Sequence, residues 1–275
     1  MSLSFCSFSS GSSGNCYMAK TDGTAVLIDA GISAARILKE LERTDTPRES
    51  VAALFLTHEH HDHVIGARVL LKRLKNATVY ASPGTFAGTM RRDAGHRLSF
   101  GNEIPCVRRV EISPDEEVTI GDLSVRAFRT LHDAAEPYGY CIASSGRRIA
   151  LVTDTGAMTD EMLDYIADAD VLVLEANHDT ELLRCGSYPQ YLKQRILSDH
   201  GHLSNSQAAD ALLRLFVRRD KKRVVLLAHL SGENNTPALA ERTVLTALAR
   251  EGRYTGSDLY MGVLLRDEAS LLYRL

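Results

Sequence analysis

The stretch Thr57-His58-Glu59-His60-His61-Asp62-His63 is the part of the sequence that decides the fold. It follows the apolar run of residues 51–56, which predicts a buried strand, and precedes residues 64–74, whose apolar spacing predicts a helix. Four of the ten histidines lie within six positions of this strand-to-helix turn. Imidazole nitrogens and carboxylate oxygens are ligands that zinc and related divalent ions take, so the stretch predicts a metal site.

A structural role explains any one of these residues taken alone, since Asp62 is a good helix N-cap and histidine is tolerated in loops. The cluster as a whole has no such explanation, because a turn this rich in imidazole gains no stability from it. On an extended chain His58 and His60 project to the same side, while Asp62 and His63 open the next turn and can face a second point. The cluster therefore favours metal binding.

The composition is that of an ordinary globular protein. With 275 residues and 44% hydrophobic content the chain can bury a sizeable core, and we expect a single domain over residues 1–275. The net charge of −3 shows no basic bias, so any contact with nucleic acid must come from a local patch.

The five cysteines, at positions 6, 16, 106, 141 and 185, form no C-x-x-C pair and do not suggest a disulfide framework. Reduced thiols predict a cytoplasmic location. No basic segment followed by an apolar one opens the chain, and no apolar run approaches the length of a membrane span. We therefore expect no export and no membrane partner, and the sequence indicates no obligate protein partner.

The pattern along the chain is that of a mixed α/β protein. Strands are predicted over residues 3–8, 16–20, 25–29, 51–56, 78–81, 104–112, 117–120, 123–129, 138–143, 148–153, 171–174, 224–228, 259–264 and 270–275. Helices are predicted over residues 33–41, 64–74, 188–197 and 204–216, and others start near Pro83 and Thr236. Asp29 ends a strand near the site, where we expect it to support a ligand rather than bind metal.

Two polar loops are candidates for substrate contact. Ser12, Ser13 and Asn15 lie in a loop of small residues that could turn its N–H groups toward a phosphate, although such loops are commonly hairpin turns. A second loop, with Ser231, Asn234 and Asn235, follows His229 and could equally be a helix-capping turn.

Two basic segments could form a local patch. The run at residues 214–223 has the pattern of a solvated helix end rather than a DNA track. The best candidate patch in the first half of the chain consists of Arg91, Arg92, His96 and Arg97.

Seven side chains of the types that bind metal follow predicted apolar strands along the chain: His58, His60, Asp62, His63, His132, Asp154 and His229. This order resembles the metallo-β-lactamase superfamily over essentially the whole chain. The resemblance implies an α/β (α+β) fold, a four-layer αβ/βα sandwich with a dinuclear metal site at one edge.

The same resemblance implies how the ligands divide between two divalent ions. One ion would be held by His58, His60 and His132. The other would be held by Asp62, His63 and His229, and Asp154 would bridge the two. Because the donors are all nitrogen and oxygen, zinc, manganese and iron(II) all remain open.

Finer motifs narrow the resemblance. The segments SSGSSGN, THEHHDH, THDAAEPYGY, LEANHD, GHLSN and AHLSGENN resemble the YycJ/WalJ-like family of bacterial metallohydrolases, which are regarded as DNA exonucleases. Ribonuclease Z carries a substrate-clamping arm between the third metal histidine and the bridging aspartate, but only 22 positions separate His132 from Asp154 here. The 75 positions from Asp154 to His229 are likewise too few for the domain that β-CASP nucleases insert.

The resemblance implies a 5′-to-3′ DNA exonuclease, a phosphodiesterase in which a hydroxide bridging the metals attacks phosphorus, oriented by Asp62 or Asp154. In ribonuclease Z a glutamate orients a histidine that protonates the leaving oxygen, and the motifs LEANHD and GHLSN place Glu175 and His202 in those positions. Alternatively, Glu175 caps a turn and His202 packs at a helix start.

The same metals would also support hydrolysis of a small thioester, lactone or cyclic phosphate. A non-catalytic metal-binding module is a third, weaker interpretation. The oligomeric state is left open by the sequence.

Overall fold

The structure is a computed structural model and describes residues 2–90 and 101–275. These residues form fourteen strands: β1 (Ser4–Ser9), β2 (Cys16–Lys20), β3 (Ala25–Ile28), β4 (Val51–Phe55), β5 (Thr78–Ala81), β6 (Arg109–Glu111), β7 (Glu117–Ile120), β8 (Leu123–Arg129), β9 (Tyr138–Ser144), β10 (Arg147–Val152), β11 (Val171–Glu175), β12 (Arg223–Ala228), β13 (Leu259–Val263) and β14 (Tyr273–Arg274). The candidate patch at 91–97 lies outside the described residues.

The same part of the chain contains nine α-helices: α1 (Ala34–Arg43), α2 (His61–Val64), α3 (Ala67–Leu70), α4 (Pro83–Met90), α5 (Asp160–Ile166), α6 (Thr180–Cys185), α7 (Gln190–Leu197), α8 (Asn205–Arg218) and α9 (Pro237–Arg250). Short 3₁₀ turns lie at Arg48–Ser50, Gly101–Glu103 and Cys106–Arg108. Ser33 and Thr236, at two predicted helix starts, accept first-turn N–H groups, and Ser204 forms a capping box with Gln207.

The strands make two seven-stranded mixed sheets within the described residues. The first has the order β14-β1-β2-β3-β4-β5-β6, and the second has the order β13-β12-β11-β10-β9-β8-β7. Each sheet is parallel in one half, β3 to β6 in the first and β10 to β13 in the second, and otherwise antiparallel. Parallel strands covered on both faces are nearly all apolar, which is why runs such as residues 51–56 were visible in the sequence.

Three apolar layers hold the two sheets and their helices together. The layer between the sheets contains Phe5, Phe55 and Tyr140. A second cluster packs α1 and α3 on the outer face of the first sheet, and a third packs α5, α8 and α9 on the outer face of the second. Helices, sheet, sheet and helices are therefore stacked in four layers, which confirms the predicted sandwich.

The predicted helix over residues 64–74 was wrong in its extent. The chain instead forms α2 and α3, separated by Ile65 and Gly66. A Cβ atom on Gly66 would lie 2.0 Å from the carbonyl oxygen of Ile32, and the Gly66 N–H donates to the Ala30 carbonyl at 2.8 Å. The break therefore comes from packing against a distant segment, which helical spacing does not reveal.

The predicted strand over residues 104–112 is also largely absent. Only β6 forms there, after a 3₁₀ turn that starts beyond Pro105. All five cysteines are free, as expected, and only Cys106 and Cys185 are exposed. No helix in the described ranges is long and apolar enough to cross a membrane.

Candidate metal centre

One group of three histidines converges where β4 and β8 end. A nitrogen of His58, one of His60 and one of His132 lie within 4.8 Å of one another. The His132 Nε2 atom is 3.3 Å from the His60 Nδ1 atom, and the His132 Nδ1–H is fixed by the carbonyl of Gly201 at 3.0 Å. This second contact sets the tautomer of His132 and leaves Nε2 to face the other two rings.

A second group lies beside the first. The Asp62 Oδ2 atom is 3.5 Å from Nε2 of both His63 and His229. Asp154 faces both groups, since its Oδ2 atom is 3.3 Å from His63 Nε2 and its Oδ1 atom is 3.8 Å from His132 Nε2. The structure therefore brings together all seven side chains that were predicted as ligands, and Asp154 lies between the two groups.

Unsatisfied polar atoms test whether this cluster suits a cation. The Nε2 atom of His58 and the Oδ2 atom of Asp154 are buried, and neither has a hydrogen-bond partner among the described residues. Leaving such atoms unsatisfied costs about 1–3 kcal/mol each. A divalent ion supplies what both lack, so the donor set fits metal binding.

The protonation of four buried histidines of the site, His58, His63, His132 and His229, follows from their surroundings. Burial lowers the pKa of His58 well below its usual value and that of His132 to about 4, so both rings are neutral. Burial also acts against charge on His63 and His229, but the Asp154 carboxylate and its acidic neighbours outweigh it. The pKa of His63 is held well above its usual value and that of His229 at about 10. Without metal, the protonated rings of His63 and His229 therefore offset the negative charge of the neighbouring carboxylates.

Asp29 holds one of these histidines in place. Its Oδ2 atom is 2.7 Å from His63 Nδ1, and its two oxygens accept from the N–H and the hydroxyl of Thr57, both at 2.8 Å. Asp29 thus contacts a candidate ligand from behind, in the supporting position predicted for it.

Three of the residues that follow strands have backbone torsions in the left-handed region. The φ angles are 60° at Asp29, 56° at Asp154 and 55° at His229. Each such non-glycine residue is strained by roughly 1–3 kcal/mol, and strain of this kind concentrates at functional sites. No sequence pattern distinguished these three torsions.

Glu175, the last residue of β11, is fully buried and contacts two histidines. Its Oε1 atom lies 2.8 Å from Nδ1 of His202 and 2.8 Å from Nδ1 of His229. Its Oε2 atom accepts the N–H groups of Thr155 at 3.0 Å and Leu203 at 3.1 Å. The pairing with His202 was expected from the motifs, whereas the contact with His229 was not.

The first polar loop divides into two parts. Ser12 and Ser13 are exposed. Asn15 is buried, and its amide contacts the Gly11 backbone and, at 3.1 Å, the His63 Nε2 atom. Substrate contact by the Asn15 side chain would require these internal hydrogen bonds to break.

The second loop is mostly engaged with the protein itself. Asn235 is buried, and its amide donates to the carbonyls of Ala176 and Asn177 and to the side chain of Asn205. The Ser231 hydroxyl accepts the N–H of Asn234 at 3.1 Å within the loop, and the following helix is capped by Thr236. The Asn234 amide nitrogen is buried with no hydrogen-bond partner among the described residues.

The basic run at 214–223 is largely neutralised by acidic side chains. Arg218 pairs with Asp160 and Asp164, and Lys221 pairs with Asp170. These contacts match a solvated helix end and give no continuous track for DNA.

Comparisons with known proteins agree with this geometry. The family described as the Beta-lactamase superfamily domain matches residues 24–230. The exodeoxyribonuclease YycJ of Bacillus anthracis is 38% identical over 252 residues, covering 92% of this chain and 91% of the relative. The exodeoxyribonuclease WalJ of Streptococcus pneumoniae is 36% identical over 249 residues, covering 90% and 89%. The metallo-β-lactamase fold protein YhfI of Bacillus subtilis superposes with a TM-score of 0.69 at 17% identity, covering 100% of both chains.

Proposed function

Because this chain belongs to the metallo-β-lactamase superfamily, we propose that it is a metal-dependent nuclease that degrades DNA from its ends. The observation that carries the proposal is the complete nitrogen and oxygen donor set at one edge of the sandwich, next to the Glu175–His202 pair. The curated relatives that match most of this chain are named as exodeoxyribonucleases, which supports DNA as the substrate.

Two divalent ions held by these residues would lower the pKa of a bound water and stabilise charge on a phosphoryl oxygen. We propose that His58, His60 and His132 hold one ion, that Asp62, His63 and His229 hold the other, and that Asp154 contacts both. The absence of a thiolate among these donors suits zinc, manganese or iron(II).

The protein's own groups would orient the reactants and move the proton. Asp62, which is partly exposed at the rim of the site, would orient the attacking water. His202 would protonate the leaving oxygen from Nε2, because its Nδ1 is engaged by Glu175. The buried Glu175 carboxylate would fix the orientation of the ring, as proton transfer to the leaving oxygen needs.

The test compares substrates on one metal-loaded preparation. Duplex DNA labelled at the 5′ or the 3′ end, the same strand as RNA, and a small thioester are incubated with the protein. We expect degradation of DNA with early release of short products from the 5′ label, in line with 5′-to-3′ polarity. Rapid hydrolysis of the thioester while the DNA stays intact would instead identify a small-molecule hydrolase. Release of the 5′ and 3′ labels at equal rates would contradict the 5′-to-3′ direction of degradation.

A further inference from the structure

Residues 180–201, which contain α6 and α7, form an arm between β11 and α8 beside the metal centre. In α7, all of whose residues are described, no side chain is buried. Helices normally bury an apolar face to become stable, but here Leu192 and Ile196 are only half-buried. The Tyr191 and Leu197 side chains are exposed and available to a ligand.

The arm is attached at the rim of the metal centre. Arg195 of α7 forms a two-pronged ion pair with Asp133, the residue after His132, and one of its contacts measures 3.1 Å. The Ile196 carbonyl accepts the N–H of His202 at 3.0 Å. The end of α7 is therefore held directly against the residues that surround the reacting phosphate in the proposed function.

Tyr191 lies one helical turn before Arg195, on the same face of α7. Because Arg195 contacts Asp133, which follows His132, Tyr191 shares the face of α7 that makes this contact at the rim of the metal centre. The Tyr191 side chain is 73% exposed, more than any other described aromatic residue. An aromatic ring so placed offers a stacking surface for a base of a strand whose phosphate lies at the metals.

The charge of α7 suits a polyanion. It carries Lys193 and Arg195 and no acidic residue, whereas the chain as a whole has a net charge of −3. The exposed Leu197 adds apolar area beside these cations. Arg195 is paired with Asp133, so Lys193, which forms no ion pair among the described residues, supplies the positive charge near the exposed Tyr191. An exposed aromatic ring near a cation is typical of surfaces that bind single-stranded nucleic acid.

We infer that α7 is a platform for the unpaired end of the DNA strand being degraded, with Tyr191 stacking on a base. The inference rests on the proposed function and adds that the DNA strand being degraded lies along α7. Unpaired bases are required, because a base within a duplex has no free face for the ring to cover.

The experiment measures kcat/KM on duplex DNA with a single-stranded overhang and on bis(p-nitrophenyl) phosphate, a small diester that reports on the metal centre alone. The ratio of the two values is compared among the wild type, Tyr191→Ala, Tyr191→Phe and Tyr254→Ala. Tyr254 is the matched control because it is 56% exposed and precedes β13, whose start lies at the edge opposite the metal centre.

We expect Tyr191→Ala to lower the ratio by roughly 5- to 100-fold, mainly through KM, as expected for loss of one stacked base. Tyr191→Phe keeps the aromatic ring, so this variant and Tyr254→Ala should both show the wild-type ratio. A ratio for Tyr191→Ala that matches Tyr254→Ala, or an equal loss with Tyr191→Phe, overturns the platform. A wild-type protein that leaves DNA intact instead overturns the proposed function, and the inference with it.

Discussion

The Oε1 atom of Glu175 lies 2.8 Å from the Nδ1 atom of His202, and the same oxygen contacts His229. One buried carboxylate therefore positions both a proposed metal ligand and the proposed proton donor. Because its other oxygen is held by two backbone N–H groups, the carboxylate is fixed before substrate arrives. The rings it orients are fixed with it, which favours catalysis that depends on orientation.

Replacing His202 by alanine is the direct test of the proton donor. We expect His202→Ala to lower kcat by roughly 10²- to 10⁴-fold, because the leaving oxygen loses its acid. Metal content, measured by elemental analysis, should stay at the wild-type level since His202 is not a proposed ligand. The neighbouring, exposed His200 supplies the control, and His200→Ala should retain activity.

A better leaving group separates this role from a structural one. A diester that releases p-nitrophenolate needs no proton on departure, so His202→Ala should hydrolyse it at close to the wild-type rate. Loss of metal in this variant, or an equal defect on both substrates, would show that His202 maintains the site rather than donating a proton.

Asp154 is expected to be the most sensitive of the proposed ligands. It faces both histidine groups, so Asp154→Ala should remove a donor from two ions at once. We predict two metal ions per wild-type chain after reconstitution, and a larger loss of activity for Asp154→Ala than for His60→Ala. Equal losses, or a reconstituted stoichiometry of one, would contradict a bridging role.

Metal binding should release protons. In the metal-free protein the pKa of His229 is about 10 and that of His63 is well above its usual value, because nearby carboxylates outweigh the effect of burial. Both rings are protonated at neutral pH, and a metal ion needs them neutral. Loading zinc in a weakly buffered solution should therefore release about two protons per chain, and metal affinity should fall as the pH falls. Zinc uptake without acidification would show that these histidines do not bind it.

The succession of strands along the chain and the identity of the clustered side chains could be predicted, because both depend on local sequence pattern. Strands buried on both faces are continuous apolar runs, and His58, Asp154 and His229 lie within three residues of the ends of such strands. Helix starts at Ser204 and Thr236 were likewise set by neighbouring residues. Each of these features is determined within a few positions of sequence.

The features that sequence did not reveal depend on contacts between distant segments. The break at Gly66 and the burial of Asn235 exist only because other loops pack there. The shared contact of Glu175 with His229 joins residues 54 positions apart. Helices α5 and α6 have only seven and six residues, too few for a helical period to stand out.

Gly31 is where three backbone segments of the site meet, and an added methyl group should separate them. A Cβ atom there would lie 1.6 Å from the Asp62 carbonyl oxygen and 2.6 Å from the Asn15 nitrogen. Both atoms belong to backbone that is tied together, since the Asn15 N–H donates to that carbonyl at 2.8 Å. No side-chain rotation can relieve such a clash, so the loops themselves must move.

We therefore expect Gly31→Ala to lower the free energy of unfolding by about 3 kcal/mol. Because Asp62 is displaced, the folded variant should also retain less metal at the Asp62, His63 and His229 group. Gly23→Ala is the matched control, since a Cβ atom at Gly23 meets nothing within 4 Å and its stability should change by less than about 0.5 kcal/mol. Urea unfolding and metal analysis of the two variants, side by side, provide the measurement. Equal stability and equal metal content would mean that the Asn15 and Asp62 loops can separate without cost, contrary to the packing described for them.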